Sequence, residues 1–176
     1  MKRTYPVKKK LTFRENIQVI IPLIYDDFMS YKDRVVNHPR LKRELHRMRI
    51  TGKPLRYAME YAVPAFGEDF KKCLVEVKNI IELMGEIHDA DVLIPELHIH
   101  LKEIRRYNST LSNREERLTT NGILKLIRET KEKRKTMFEK LCGIIIKWIN
   151  EDFRTKMIVS MNAPTYNLTL VKPSAV

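Results

Sequence analysis

Apolar residues recur at intervals of three and four along most of this chain, and no segment strongly alternates polar with apolar residues as a half-buried strand does. That periodicity predicts an all-α fold. The chain has only five Gly, so long helices joined by short turns are expected. The first should run from about Thr12 to Val36 and end at Asn37-His38-Pro39, because Pro39 disfavours the helical conformation at His38. The second runs from about Arg40 to Val63 and stops at Pro64. The third begins near Glu68 and carries Phe70, Cys73, Leu74, Val77, Ile80, Ile81, Met84 and Ile87 on one stripe. It is expected to bend or restart at Pro95 and to continue toward Arg106. The last spans Ile123 to about Met157, with an earlier start offered by the capping-box spacing of Ser112-Asn113-Arg114-Glu115.

Four long helices predict an antiparallel bundle, with Leu55, Met59, Cys73, Met84, Ile127, Leu141, Ile145 and Trp148 in its core. At 176 residues one domain is the default. The expected division is a basic N-terminal segment over 1–11, a single helical domain over 12–158 and a tail without a helix of its own over 159–176. Cys73 and Cys142 form no CxxC spacing, so neither a disulfide framework nor a zinc site is indicated, and a reducing compartment fits. The basic start runs into Leu11-Thr12-Phe13-Arg14-Glu15 rather than an apolar stretch, and does not read as a signal peptide. Apolar runs such as Val19 to Ile24 are too short to span a bilayer. The expectation is a cytoplasmic protein without a membrane partner.

Charge sorts the function classes. The formal net charge is +12, which makes an anionic partner a serious candidate. It is concentrated in two segments. One holds Arg40, Lys42, Arg43, Arg47, Arg49, Lys53 and Arg56 against Glu44 alone. The other, from Lys125 to Lys147, adds Arg128, Lys131, Lys133, Arg134, Lys135 and Lys140 against Glu129, Glu132 and Glu139. On a helical wheel at ~100° per residue, Lys42, His46, Arg49, Lys53, Arg56 and Tyr57 fall within an arc of roughly 60–100°. Leu41, Leu45, Met48, Leu55, Met59 and Ala62 take another face, for the core. A solvated face mixes signs, whereas a ladder of like charges repels itself by about 0.2–0.5 kcal/mol per pair unless anions lie against it. Phosphate suits Arg and Lys together, one as a bidentate fork and the other as a mobile point charge. In the last helix Arg134 aligns with Ile127, Phe138, Leu141 and Ile145, while Arg128, Lys131 and Lys135 flank that stripe. Arg134 is expected to reach the polar interior shared with the second helix, and Arg128, Lys131 and Lys135 to complete the anion site from the other side, all four toward phosphate.

Two strings carry a resemblance. His46-Arg47-Met48-Arg49-Ile50-Thr51-Gly52-Lys53-Pro54-Leu55-Arg56-Tyr57 and Met84-Gly85-Glu86-Ile87-His88-Asp89-Ala90-Asp91-Val92-Leu93 resemble, in order and separation, the two motifs of the CHAD family, named for its conserved histidine and α-helical make-up. The resemblance covers about residues 40–105. It implies a helical bundle that holds inorganic polyphosphate against basic side chains without catalysis or a cofactor, with His46, Arg49, Lys53 and Arg56 toward the phosphates. Association with polyphosphate granules would follow. Family members are often about twice this length, with two related bundles around one basic channel, so a homo-oligomer is an expectation for a single unit. Pro54 stands where the family usually has another basic residue, and with Gly52 it predicts a kink.

His88 and Asp91 fall inside the third helix's stripe, while Asp89 points away. An inward Asp needs a partner, so Asp91 is expected to pair with a basic residue of the second or last helix. Within the ladder, like charges should lower the His46 pKa and bound phosphate should raise it. Rival readings rest on thinner patterns. The His88-Asp89 doublet suggests a metal-dependent phosphohydrolase of the HD kind, yet helical spacing turns Asp89 off the face of His88. No Glu is followed three residues later by His, as a di-iron bundle requires. Of Glu96, His98 and His100, the two histidines lie ~200° apart on a helix, so no metal site is assigned. Nucleic acid fits the charge, but aromatics do not interleave with the ladder beyond Tyr57 and no helix-turn-helix spacing is apparent.

Overall fold

Helix α1 (Phe13–Met29) starts at a reciprocal cap, in which the Glu15 N–H donates to Thr12 Oγ1 at 3.3 Å and the Thr12 N–H donates to the Glu15 carboxylate at 2.7 Å. The structure, a computed structural model, describes residues 5–162; these form six α-helices, a 3-10 turn and no strand. The described residues are all-helical, as the periodicity predicts. The first helix does not reach Val36. It ends at Met29, where Ser30 Oγ donates to the Asp27 carbonyl at 2.7 Å, and a single turn, α2 (Lys32–Val35), follows. Asn37, at φ 62°, then takes the left-handed conformation that Asn tolerates and reverses the chain.

Helix α3 (Lys42–Ala62) runs through Pro54 without interruption and leads into a 3-10 turn at Val63–Ala65. Pro54 faces solvent, whereas Gly52 is buried where α3 meets α1 and α4. A Cβ on Gly52 would overlap Ile81 Cδ1 and come within 2.9 Å of Phe28 Cε2. Gly52 therefore serves close approach of three helices.

Helix α4 (Glu68–Thr110) has 43 residues and neither ends nor restarts at Pro95; at ~1.5 Å per residue it is about 65 Å long. Helix α5 (Asn121–Asn150) lies antiparallel along it and holds it on both sides of the exposed Pro95, through Arg134 on Asp91 before it and Ile127 with Leu97 and Leu101 after it. The Ser112–Glu115 spacing does not start a helix, since α5 begins at Asn121. Nor does α5 reach Met157. Asp152 takes φ 44°, and its carboxylate accepts from the Thr155 N–H at 3.2 Å, capping a separate α6 (Phe153–Asn162). Phe153 stacks on Trp148 with centroids 4.1 Å apart, and Phe153, Met157 and Met161 are buried. Residues 159–162, expected in the tail, thus belong to a helix, and 163–176 lie outside the described residues.

Helix α4 is the spine. It packs on α3, α5 and α6, while α1 packs on α3 and α6. The eight residues expected in the core are buried, seven of them in one main cluster with Phe28, Met48 and Phe70. Ile127 belongs instead to a small second cluster with Leu97 and Leu101. A bundle of four long helices describes the body only in part, because α6 is added to it and the far halves of α4 and α5 continue beyond it as a two-helix arm. Among the described residues no helix is long and apolar enough to cross a membrane.

Candidate functional site

Gly85, His88, Asp91, Pro95 and His98 succeed one another at three and four residues, so they form one line along α4. Helix α3 runs antiparallel beside its first part. Arg49 lies over Gly85: a Cβ added there would meet Arg49 Nε at 3.8 Å, an ordinary van der Waals contact. One turn on, the His46 and His88 rings stack with centroids 5.0 Å apart. Another turn on, Lys42 Nζ is 2.8 Å from Asp91 Oδ1. Lys42, Arg43, His46, Arg47, Arg49, His88 and Asp91 line a cleft of about 340 Å³ floored by Leu45 and Met84.

Helix α5 meets the same line from its other side. Arg134 grips Asp91 with two bonds, Nε to Oδ1 at 2.8 Å and Nη2 to Oδ2 at 3.1 Å, and Nη2 also donates to the Pro39 carbonyl at 3.0 Å. Asp91 thus has partners on both helices. Burial pushes its carboxyl up, but the hydrogen bonds and charges of Arg134 and Lys42 outweigh that and hold it below its ordinary value. Further out, His98 Nδ1 is 2.6 Å from the Ile94 carbonyl and Nε2 is 3.4 Å from Lys131 Nζ. The tautomer protonated at Nδ1 satisfies both contacts, donating to the carbonyl and accepting from the ammonium.

The basic ladder is not uniform. Its ends are engaged: Lys42 by Asp91, and Arg56 by Glu60 at 3.1 Å and Glu82 at 3.3 Å. Arg47 pairs with Glu44, which also holds Arg34. Between them, His46, Arg49 and Lys53 make no ion pair with a carboxylate among the described residues, and neither do Arg40 and Arg43 on the same stretch. Desolvation of the His46 ring, then His88, Arg49 and Lys53, push its imidazole below the ordinary 6.5. Tyr57 is exposed one turn beyond Lys53. Tyr61, 78 % exposed, was not a sequence candidate, yet it shares a cleft with Tyr57 and Glu60. Its signal was legible in the spacing Ile50, Pro54, Tyr57, Tyr61, which puts the four on one exposed stripe.

The α5 candidates separate as well. Arg134 is drawn into the Asp91 pair, whereas Arg128, Lys131 and Lys135 are exposed. Lys131 does not face the ladder across a shared cleft; it extends the α4 line outward to His98. Asp89 is exposed outside the cleft, though its Oδ1 returns to 3.5 Å from His88 Nδ1. His100 turns to Glu103 at 3.0 Å, away from His98. Among the described residues no three of His, Cys, Asp and Glu gather as metal ligands.

The family model of the CHAD domain matches residues 18–98. Over these residues the chain is similar to a CHAD domain. The match begins within α1, takes in both motif strings and the line from Gly85, and ends at His98. Helix α5, with its cations, lies beyond the matched span of the CHAD domain. No curated protein and no solved structure matches the chain.

Proposed function

We propose that this chain binds inorganic polyphosphate along α3, without hydrolysing it. The observation that carries the reading is the row His46, Arg49, Lys53, which faces solvent beside the cleft with no carboxylate partner among the described residues while the cations at both of its ends are paired. Like charges so placed repel until an anion lies along them. From His46 to Lys53 the helix rises ~10 Å, too far for one phosphate group and suited to several linked ones. Arg49 offers a fork, Lys53 a mobile ammonium and His46 a ring N–H. Because His46 sits below its ordinary pKa, bound phosphate would raise it, and binding would take up a proton.

A second reading, single-stranded nucleic acid, is favoured by the exposed Tyr57 and Tyr61, which offer ring faces for base stacking beside the phosphate row. Both ligands release counterions and weaken with salt, so salt alone does not separate them. Competition does. With polyphosphate and single- or double-stranded nucleic acid at equal phosphate concentration, polyphosphate should win on the wild type and lose about tenfold or more in affinity on a His46→Ala/Arg49→Ala/Lys53→Ala variant, as removal of several phosphate contacts requires. Nucleic acid winning, or a variant binding as wild type does, overturns the proposal. Phosphate release from the bound chain would move the protein to the phosphohydrolase class.

A further inference from the structure

We infer that Arg128, Lys131 and Lys135 of α5 form a second anion patch, separated from the α3 patch by Asp91, so that the site selects long phosphate chains over short ones. The inference rests on the polyphosphate reading. Its geometry is that of the α4 line. Arg49 over Gly85 and His46 on His88 mark the first patch, Asp91 stands next, and Lys131 on His98 marks the second. From Gly85 to His98 the helix rises ~20 Å.

Asp91 is the divide because it is itself an anion, holding Lys42 from α3 and Arg134 from α5. The middle of the line therefore has both of its cations committed to one carboxylate and keeps a single net positive charge, and the open cations lie on either side of it. The pairing pattern on α5 supports a separate patch. Lys125, Lys133 and Lys147, which point elsewhere, have Glu129, Glu86 and Glu151 as partners, and of the cations turned away from this flank Lys140 alone has no carboxylate partner among the described residues. Arg128, Lys131 and Lys135, which helical spacing puts together on the flank that carries Lys131 to His98, have no carboxylate partner among the described residues. Lys131 Nζ also lies 3.4 Å from Nε2 of His98, whose Nδ1 is 2.6 Å from the Ile94 carbonyl.

A short oligophosphate on His46, Arg49 and Lys53 ends before His98. A long chain crosses Asp91 and engages Lys131 and its neighbours as an intramolecular second contact, which raises its affinity without changing that of the short ligand. Arg128, Lys131 and Lys135 are thus length-determining residues.

The test uses tripolyphosphate and long-chain polyphosphate, titrated by calorimetry on the full chain and on an Arg128→Gln/Lys131→Gln/Lys135→Gln variant, with circular dichroism to verify the helices. The variant should keep tripolyphosphate binding at the α3 patch with wild-type affinity and lose about tenfold or more for the long chain. Its plot of log affinity against log salt for the long chain should flatten by about 2, as loss of three backbone contacts requires. Equal losses for both ligands would mean one compact site and overturn the inference, as would no loss for either, while the α3 reading stands in both cases. Failure of the wild type to bind either ligand would bring down the polyphosphate reading itself, and this inference with it.

Discussion

Asp91 is a carboxylate with a side chain only 10 % exposed, gripped by an Arg from one helix and a Lys from another. Arg134 is the deeper partner, 11 % exposed, with its guanidinium carbon also 5.7 Å from the centre of the Phe138 ring. Replacing it by Met keeps most of the apolar stem and leaves Asp91 with Lys42 alone. Arg134→Met should cost about 2–3 kcal/mol in denaturant unfolding at neutral pH, the range for removing one partner of a poorly solvated charge pair. The pH dependence has a definite sign. The folded carboxyl lies below its ordinary 3.8, so its contribution is present above that value and is lost as pH falls through the folded one. The gap between wild type and variant should therefore close in acid; a gap of constant size would show that the ion pair is not its source. That Asp91 needs a basic partner is legible from the helical wheel, since an inward carboxylate cannot stand alone. That Lys42 and Arg134 share it is not, because a wheel carries no information on how α3 and α5 cross α4.

Helices exist where three-and-four periodicity says they do, but their ends follow local chemistry that periodicity does not encode. The break after Met29 and the one at Asp152 have neither Pro nor Gly to mark them, and apolar residues stay in step across both, with Val35 beyond the first and Phe153 and Met157 beyond the second. Conversely Pro22, Pro54 and Pro95 all lie inside helices, because tertiary packing on either side outweighs one missing hydrogen bond. The arm was the least legible element. Its apolar stripe looks continuous with the core in sequence, yet only Leu97, Leu101 and Ile127 are buried there, apart from the main cluster. With so few buried contacts, local opening of the arm should be easier than opening of the body. Hydrogen exchange should accordingly run faster at 101–127 than at 70–90 and 137–148. Uniform protection along α4 would contradict the division into body and arm.

At the scale of the whole molecule, the core and the cation surface are two sides of one element. Helix α4 buries Phe70, Val77, Met84 and Ile87 in the main cluster and continues as the line on which Arg49, His46, Lys42, Arg134 and Lys131 converge. The chain as a whole carries +12, and Arg49 with Lys53 on α3, and Arg128 with Lys131 and Lys135 on α5, stand as neighbouring cations without a carboxylate partner among the described residues. Self-repulsion of that kind destabilises the compact state and is screened by salt, over a Debye length of about 10 Å at 0.1 M. In the absence of ligand, thermal stability should therefore rise as salt is added. A ligand that binds only the folded state stabilises it by RT ln(1 + [L]/Kd), about 2.7 kcal/mol at a hundredfold excess over Kd. Salt weakens a polyanion's affinity steeply, so this increment should shrink over the same range. Two melting series, one with polyphosphate and one without, should therefore converge, the loaded protein falling toward the free one as the free one climbs. Parallel lines would mean that polyphosphate acts through something other than the open cations of α3 and α5, and a free protein whose melting temperature ignores salt would mean that those cations do not strain the fold.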